Sequence, residues 1–475
     1  MEGFLQVMRA IIFGLGRAYN NNKQQIDNFI DVVAYSDNNS DLWGTHIDGI
    51  NVIRPDEITK YFYDTVLVTS SGYYQEIKKQ LRDFGIPSEK IFEYQYYALR
   101  LIRGKIKYCG DYSIKKNKKN ILIMSTDLNY DGGSLAAVYA AYALKQKGIH
   151  VLLEVPSANE NLVNEIIHNN IPVAIAPAML NPGRDEVKLV DDYEMVIINV
   201  YQNIVPVYIY CKKKPILWWI HERNKLIEVT NLKYSGYAAN LDFNKILCKA
   251  VCHNVKDILQ RMWSDIEIGI MPYGIPDFYK GETITDNHKK MAFVVIGTIQ
   301  KRKGQDIFAN AALIYNKICN ISAEFLIIGE NIDKKYYLSI KEMADKADNI
   351  CIKGLFTREM LENIYPSIDV IVCPSRHEGL PIVVNEGLMN KKVCIDADTA
   401  GDNDKIIDGD NGFFFHGEDV EELAQKMKYV AEHYNELGVL RDNARKTYLE
   451  NYTLEAFGDR LEQAIDETIR NYTND

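Results

Sequence analysis

Short apolar runs recur along the chain and alternate with segments of helical spacing. Runs of about five apolar residues without polar alternation are typical of strands buried on both faces of a parallel sheet. The segments between several of them carry apolar residues at helical intervals, as in 73–84, 135–147 and 307–316. This alternation predicts an α/β protein built on parallel sheets. The predicted strands are 9–13, 31–37, 65–69, 120–124, 151–155, 195–199, 216–220, 291–297, 324–329, 349–354 and 369–373.

The length of 475 residues suggests about three domains. The strand and helix pattern predicts a small α/β domain over 1–105 and a basic linker over 106–119. Two larger α/β domains follow, over 120–285 and 286–475, and we expect the last helix to cross back onto the domain before it.

Bulk composition narrows the class of protein. A net charge of -10 argues against a nucleic-acid binder. The sequence has no apolar run of about 18 residues, and Arg9 interrupts the apolar stretch near the N-terminus, so we expect neither a membrane span nor a signal peptide. The eight cysteines form no CxxC pair and no histidine cluster has metal spacing. These features predict a reduced, cytoplasmic chain without a metal site.

The first domain carries the order of elements found in dinucleotide sites. Strand 9–13 runs into Gly14 and Gly16, a helical segment follows near 23–30, and the next strand ends at Asp37. Tyr19 stands where the third glycine of G-x-G-x-x-G is expected. The segment resembles the Rossmann-like modules that are fused to sugar-modifying enzymes. Two alternatives stay open: a nucleotide site at Gly14, Gly16 and Asp37, or an interaction module without a ligand.

A basic run links the first two domains. A solvated interdomain linker is one interpretation of it, and electrostatic contact with an anionic membrane surface is the other. The basic residues are Arg100, Arg103, Lys105, Lys107, Lys115, Lys116, Lys118 and Lys119.

The most informative motif follows strand 369–373. The sequence Pro-Ser-Arg-His-Glu-Gly-Leu-Pro at 374–381 reads as a tight loop, and Pro381 suits the first turn of a helix. Glu378 then lies beside the helix N-terminus and Glu386 about two turns further along. Free N–H groups at this helix end suit an anion such as a diphosphate, and the deeper carboxylate can accept hydrogen bonds from the hydroxyls of a ribose.

A second loop with suitable chemistry follows strand 291–297. It carries three consecutive cations, Lys301, Arg302 and Lys303, and then Gly304. Because these cations come directly off an apolar strand and precede a helix, they are well placed for phosphate.

These motifs together resemble the retaining glycosyltransferases of the GT-B fold, family four (glycosyl transferases group 1). Glu378 and Glu386 match the E-x7-E signature of that family, and Lys303-Gly304 match its G-R-L-x-x-x-K-G loop. Thr298 departs from that loop pattern, because an arginine is usual there. The turn at 408–413 and the loop with Gly132 and Gly133 also look like family segments. The resemblance covers about residues 120–470.

The resemblance implies a fold and a set of site residues. The expected fold class is α/β, with two Rossmann-like GT-B domains facing a cleft and an extra N-terminal Rossmann-like domain. Glu378 and His221 are the implied catalytic residues. The implied donor-binding residues are Lys303, Arg302, Glu386, Gly297, Gly379, Leu380, Gly132 and Gly133.

The resemblance also implies the partners. The chain is expected to take a nucleotide-sugar as substrate, without a cofactor or metal, and to pass the sugar with retention to a glycan or lipid-linked acceptor. Cell-surface polysaccharide synthesis at the inner face of the membrane is the expected setting. The alternatives are a non-catalytic nucleotide-sugar binding subunit, a GT-B epimerase or phosphorylase, and an oxidoreductase that uses Gly14 and Gly16. The sequence identifies neither the sugar, the nucleoside base nor the acceptor.

Overall fold

The computed structural model describes residues 9–16, 18–20, 23, 26, 30–70, 73–94, 106–180, 182, 184–222, 224–281, 290–400 and 405–473. The chain divides into two compact units. The first comprises Met1–Ile106 with Pro177–Glu186, and the second comprises Lys107–Ala176 with Val187–Asp475. The helix expected near 23–30 falls largely outside the described residues.

The first unit contains a six-stranded sheet with the order β3-β4-β2-β1-β5-β6. All of its pairs are parallel except β3 with β4, and alternate residues of β1 and β5 face two separate apolar clusters. The strands are Arg9–Phe13 (β1), Asp31–Ser36 (β2), His46–Ile47 (β3), Ile50–Ile53 (β4), Thr65–Val68 (β5) and Ile91–Glu93 (β6).

The second unit opens with an eight-stranded sheet, ordered β14-β13-β12-β11-β8-β9-β10-β7. Its pairs are parallel except for the edge pair of β10 with β7. Because Lys107–Cys109 forms β7, part of the expected linker is an edge strand. The strands are Lys107–Cys109 (β7), Asn120–Met124 (β8), His150–Val155 (β9), Val173–Ile175 (β10), Met195–Asn199 (β11), Ile216–Ile220 (β12), Ile246–Ala250 (β13) and Gly269–Ile270 (β14).

The second unit also contains a wholly parallel six-stranded sheet, ordered β17-β16-β15-β18-β19-β20. Strands β18 and β19 are buried along their whole length, and β18 has the continuous apolar sequence typical of such strands. The strands are Met291–Ile296 (β15), Ala323–Ile328 (β16), Ile350–Gly354 (β17), Val370–Cys373 (β18), Val393–Ala397 (β19) and Phe413–Phe415 (β20).

Helices connect and cover these strands. They are Tyr74–Asp83 (α1), Gly132–Gln146 (α2), Glu160–His168 (α3), Arg184–Val190 (α4), Ile204–Tyr210 (α5), Asn224–Lys233 (α6), Ser235–Ala238 (α7), His253–Met262 (α8), Gln305–Ile318 (α9), Lys334–Ala344 (α10), Arg358–Ile364 (α11), Ile382–Met389 (α12), Val420–His433 (α13), Gly438–Asn451 (α14) and Leu454–Thr473 (α15). Short 3-10 turns include Lys301–Lys303 and Tyr365–Ser367.

The last helix returns to the eight-stranded sheet. Helix α15 packs along α2 and against β12 and β13. Its acidic residues Asp466 and Glu467 pair with Lys119 and Lys249 at 2.6 and 2.8 Å. The C-terminal helix therefore lies against the eight-stranded sheet, although it follows the six-stranded sheet along the chain.

Candidate functional site

The loop at 374–381 lies at the carboxyl end of β18 and leads into α12. Pro381 occupies the N-cap position in an extended conformation (φ -75°, ψ 119°), and Ile382 is the first helical residue. The proline therefore stands one position earlier than the sequence predicts. In open parallel sheets, ligands bind outside the carboxyl ends of the strands, so this loop lies where a ligand is expected.

Glu378 is the central side chain of the loop. Only 12% of its side chain is exposed, and its Oε1 atom forms ion pairs with Lys303 and, at 2.8 Å, with Arg302. Ser375 Oγ donates a further hydrogen bond of 3.3 Å to the same oxygen. The structure thus brings together the first glutamate of the motif and the two cations of the second loop.

Opposing effects act on the charge of Glu378. Burial would raise the pKa of this carboxyl, but the charges of Lys303 and Arg302 outweigh burial and hold it below its usual range. Glu378 is therefore a carboxylate at neutral pH.

Glycines bring the cationic loop close to this carboxylate. Gly297 ends β15 at φ +152°, and its Cα faces the Lys303 stem, since an added Cβ would lie 3.4 Å from Cε. Gly304 has φ +70°, and a Cβ there would collide with the carbonyl oxygen of Pro374. Only glycine fits at position 304, because both its backbone conformation and the space around it exclude a side chain.

An arginine that the sequence analysis left without a role locks the two loops together. Arg376 donates two hydrogen bonds of 2.9 Å to the Asp306 carboxylate and one of 2.7 Å to the Lys301 carbonyl. Tyr336 donates to the same carboxylate at 2.7 Å. Arg376 lies inside the motif at 374–381 and Asp306 two positions after Gly304, but only the folded chain shows that they form a bidentate pair.

His221 reaches the same loop from the eight-stranded sheet. It follows β12 directly, and Gly379 packs so closely on its carbonyl that an added Cβ would lie 2.5 Å from that oxygen. Beside this contact, Tyr273 donates a hydrogen bond to the Leu380 carbonyl. Gly379 and Leu380 therefore join the glutamate loop to the other half of the unit.

His221 is partly buried as a residue, and its Nε2 atom is inaccessible to solvent. Its ring packs against Trp219 with 4.2 Å between ring centroids, and within the described residues its Nε2 atom has no hydrogen-bond partner. Burial lowers the pKa of His221 to about 3, so the ring is neutral. A neutral imidazole with an unmatched nitrogen can donate to or accept from a ligand hydroxyl, depending on its tautomer.

Glu386 has different neighbours from Glu378. Its side chain is 4% exposed, one oxygen pairs with Arg358 and the other accepts a 2.7 Å hydrogen bond from Tyr365. Arg358 lies over the ring of Phe278, 4.5 Å from its centroid. The sequence alone does not point to Arg358 or Tyr365, because neither belongs to a recognised motif.

Gly132 and Gly133 begin helix α2, whereas the sequence predicts a loop there with a helix from 135. Asp131 caps this helix by accepting a hydrogen bond of 3.0 Å from Ser134 N, and Asn199 donates to the Gly133 carbonyl at 2.8 Å. The charges of Arg358 and Glu386 both act on Tyr139 of this helix, so α2 passes near the Glu386 pair.

The candidate residues of the first unit lie near the carboxyl ends of β1 and β2. Gly14 follows β1 at φ +94° and Asp37 follows β2. Asp37 accepts hydrogen bonds from Leu15 N at 2.6 Å and Asn39 N at 2.8 Å. Gly16 has open space at its Cα, whereas Tyr19 is buried and packs edge-on against Tyr35.

Parts of the basic run are already paired with acids. Lys115 bonds Asp111 at 2.7 Å and Lys119 bonds Asp466 at 2.6 Å. Arg100, Arg103 and Lys105 lie outside the described residues. None of the helices that the structure describes is long and apolar enough to cross a bilayer. Over the same residues there is no group of three or more His, Cys, Asp or Glu arranged to hold a metal ion.

Two segments match known families. Residues 6–92 match the family C2185-like, N-terminal, and residues 282–447 match Glycosyl transferases group 1. The chain is also similar to alpha-D-kanosaminyltransferase of Streptomyces kanamyceticus, with 24% identity over 166 residues. That alignment covers 35% of this chain and 43% of the relative, so it spans less than half of that protein.

Solved structures share the architecture of the second unit at low identity. A glycosyltransferase from Rickettsia africae aligns with a TM-score of 0.64 and 19% identity, covering 75% of this chain and all (100%) of that one. Anabaena Alr3699/HepE, crystallised with UDP and glucose, aligns with a TM-score of 0.62 and 14% identity, covering 74% of this chain and 100% of its own. The expected fold class is confirmed: this is a GT-B fold with an additional N-terminal α/β domain, and residues 282–447 match the glycosyl transferases group 1 family.

Proposed function

We propose that this protein is a retaining glycosyltransferase that moves a sugar from a nucleoside-diphosphate sugar to an acceptor hydroxyl. The buried Glu378 carboxylate carries the proposal, because Lys303 and Arg302 hold it directly in front of a helix N-terminus. Sugar transfer develops positive charge at the anomeric carbon and negative charge on the leaving diphosphate. One carboxylate and two cations at a helix end can stabilise both charges.

The diphosphate would lie against Lys303 and Arg302. Their side chains are 20% and 42% exposed, so both can reach an incoming phosphate without leaving the protein surface. Free N–H groups in the first turn of α12 add donors, to which Pro381 contributes none. When phosphate draws the cations away, Glu378 loses part of its pairing and becomes a stronger acceptor for the sugar.

Glu378 would face the transferred sugar. Its carboxylate accepts hydrogen bonds from sugar hydroxyls and stabilises positive charge at the anomeric carbon as the bond to the diphosphate breaks. The leaving diphosphate then takes the proton of the acceptor hydroxyl on the same face of the sugar. In this scheme the configuration is retained, and no protein side chain has to act as the base.

His221 would contact the same sugar from the opposite half of the unit. Its ring is neutral, and its unmatched Nε2 atom favours a hydrogen bond to a ligand hydroxyl. Gly379 lies against the His221 backbone, so the two residues can bracket one sugar ring.

Glu386 would bind the ribose, as the family resemblance implies. Each of its oxygens already has one protein partner and keeps a second lone pair for a ribose hydroxyl. Arg358 pairs with this buried carboxylate and fixes its orientation. Gly132 and Gly133 leave the first turn of α2 free of side chains, which favours close approach of the donor phosphates.

Donor and acceptor classes follow by analogy. HepE was crystallised with UDP and glucose, which supports a nucleoside diphosphate in the cleft. A glycan or lipid-linked acceptor in cell-surface polysaccharide synthesis remains our proposal. Among the described residues of the basic run, contact with an anionic membrane would depend on Lys107, Lys116 and Lys118, because Lys115 and Lys119 are paired with acids.

The test begins with thermal stabilisation by UDP-, GDP- and ADP-sugars, since a ligand of the folded state raises apparent stability. With the stabilising donor, NMR of the product linkage should show the anomeric configuration of the donor. Activity should survive EDTA, because Lys303 and Arg302 neutralise the diphosphate in place of a metal ion. An inverted linkage, or activity lost to EDTA and restored by Mg²⁺, would contradict the mechanism.

A further inference from the structure

A pocket of about 310 Å³ opens in the first unit, at the carboxyl ends of β1, β2 and β5. In the strand order β4-β2-β1-β5, strands β2 and β4 lie on one side of β1 and β5 lies on the other. The carboxyl end of β1 is therefore the topological switch point, where open α/β sheets bind ligands. The pocket belongs to neither half of the proposed transferase site. The residues that line it are Phe13, Gly14, Asp37, Asn38, Ser70, Tyr73, Glu76, Ile77 and Gln80.

At Gly14 the pocket wall consists of backbone without a side chain. Gly14 has φ +94°, and an added Cβ would come within 2.9 Å of Ser70 Oγ. Asp37 fixes the chain after Gly14 by accepting a hydrogen bond from Leu15 N. Asn38 and Gln80 hold the rim through two reciprocal amide hydrogen bonds of 3.0 and 2.8 Å.

The remaining polar groups are mostly acceptors. Asp37 and Glu76 present carboxylates, which accept hydrogen bonds and repel anions, and Ser70 adds a hydroxyl. Among the described residues that line the pocket, none is basic. This lining does not suit a ligand that binds through its phosphates, as a dinucleotide does. It suits a neutral ligand with several hydroxyl donors.

An aromatic side chain stands at the mouth. Tyr73 is 65% exposed although it lines the pocket, and the apolar face of Ile77 lies beneath. An exposed tyrosine offers a flat surface on which a sugar ring or a base can stack.

From these observations we propose that the first unit binds a neutral, hydroxyl-rich ring in this pocket. The ring stacks on Tyr73, and its hydroxyls donate to Asp37 and Glu76. A free or glycan-linked sugar and the nucleoside end of a larger molecule share this chemistry. The volume accommodates one ring system, and the pocket shares no lining residue with the proposed transferase site.

The full-length protein can report on this pocket through the ¹³C-labelled methyl group of Ile77, assigned with Ile77→Val. The probes are methyl glucoside, adenosine, uridine and inorganic phosphate. We expect a saturable shift of the Ile77 methyl with the glucoside or with a nucleoside, which identifies the source of the ring, and none with phosphate. The core methyl of Ile58 serves as the reference within the same unit.

Two surface variants locate the binding. Tyr73→Ala and Glu76→Gln should each weaken the Ile77 response about tenfold, the loss expected for a hydrogen bond to a charged group or a stacked ring. Both side chains are exposed, so the fold should tolerate their loss. Lys303→Ala should leave the response unchanged. Absence of any shift with every neutral ring, or a shift with phosphate alone, would overturn the proposal.

Discussion

Glu378 and Glu386 are two buried carboxylates eight positions apart, each paired with an arginine, but their surroundings differ. Glu378 lies in a loop, and its partners Arg302 and Lys303 are 42% and 20% exposed. Glu386 lies within α12, and its partner Tyr365 is completely buried. In the proposed mechanism the first carboxylate exchanges its partners for a ligand, whereas the second is held in the core. One signature thus joins a proposed catalytic group to a carboxylate with buried partners.

The sharpest test of this difference is Glu378→Gln. Loss of the carboxylate charge should reduce kcat by about 10²–10³-fold, the size typical of removing one stabilising group at a reacting centre. The thermal midpoint should change little, because Arg302 and Lys303 can turn to solvent. Steady-state kinetics with the stabilising donor measures the first effect.

Glu418→Gln is the matched control, because Glu418 pairs with Arg376 of the same loop but is 62% exposed. It should retain nearly full turnover. Near-normal kcat in Glu378→Gln would remove this residue from the proposed mechanism.

The second test removes Arg358, the cation that pairs with Glu386. Arg358→Leu should destabilise the second unit by about 3 kcal/mol, because it leaves Glu386 buried without a cation. The value lies at the low end of that range, since the Arg358 side chain is 25% exposed. Urea unfolding followed by the fluorescence of Trp218, Trp219 and Trp263 reports on this unit.

The double variant Arg358→Leu with Glu386→Leu completes the cycle. An apolar pair of similar volume should recover much of the lost stability, although ribose binding would be gone. Additive losses in the two single variants and the double variant would show that the pair is not coupled.

The third test compares the contributions of Lys303 and Arg302 to binding of the donor. Lys303→Ala should weaken binding of the nucleotide-sugar by about 1.5–3 kcal/mol, the value of a hydrogen bond to a charged group. Arg302→Ala should cost less, because Arg302 is the more exposed of the two. Calorimetry with the free nucleoside is the control, since a ligand without phosphates should bind both forms equally. An equal loss for nucleoside and nucleotide-sugar would place Lys303 away from the diphosphate.

The sequence pointed to both glutamates but not to Arg358, which pairs with Glu386. The two candidate loops could be recognised because each is local: a strand is followed within a dozen residues by its glycine turn and its charged residues. Arg358 is 28 residues before Glu386, and only the packing of α11 beside α12 joins them. Continuous apolar runs predicted strands such as β8 and β15 well, because such strands are buried on both faces. The edge strand β7 was missed because its lysine-rich surroundings resemble a linker.

The smallest predicted effect concerns acid stability. The pKa of Glu378 in the folded protein lies below its value of about 4.3 in an unfolded chain. Its charge therefore adds stability that is fully present above about pH 4.3 and is lost as the pH falls through the folded-state pKa. Unfolding midpoints of the wild type and Glu378→Gln should differ by a constant amount near neutral pH and converge in acid.

The way in which the two unfolding midpoints change in acid tests whether Glu378 differs from a carboxylate held in the core. If burial controlled Glu378, as in a closed core, its pKa would be raised and the wild type would gain on Glu378→Gln as the pH fell. Convergence in acid instead means that Arg302 and Lys303 control the charge of Glu378. A carboxylate that exchanges its partners for a ligand requires this control. A parallel series with Glu418→Gln removes the general effect of losing one carboxylate from this surface.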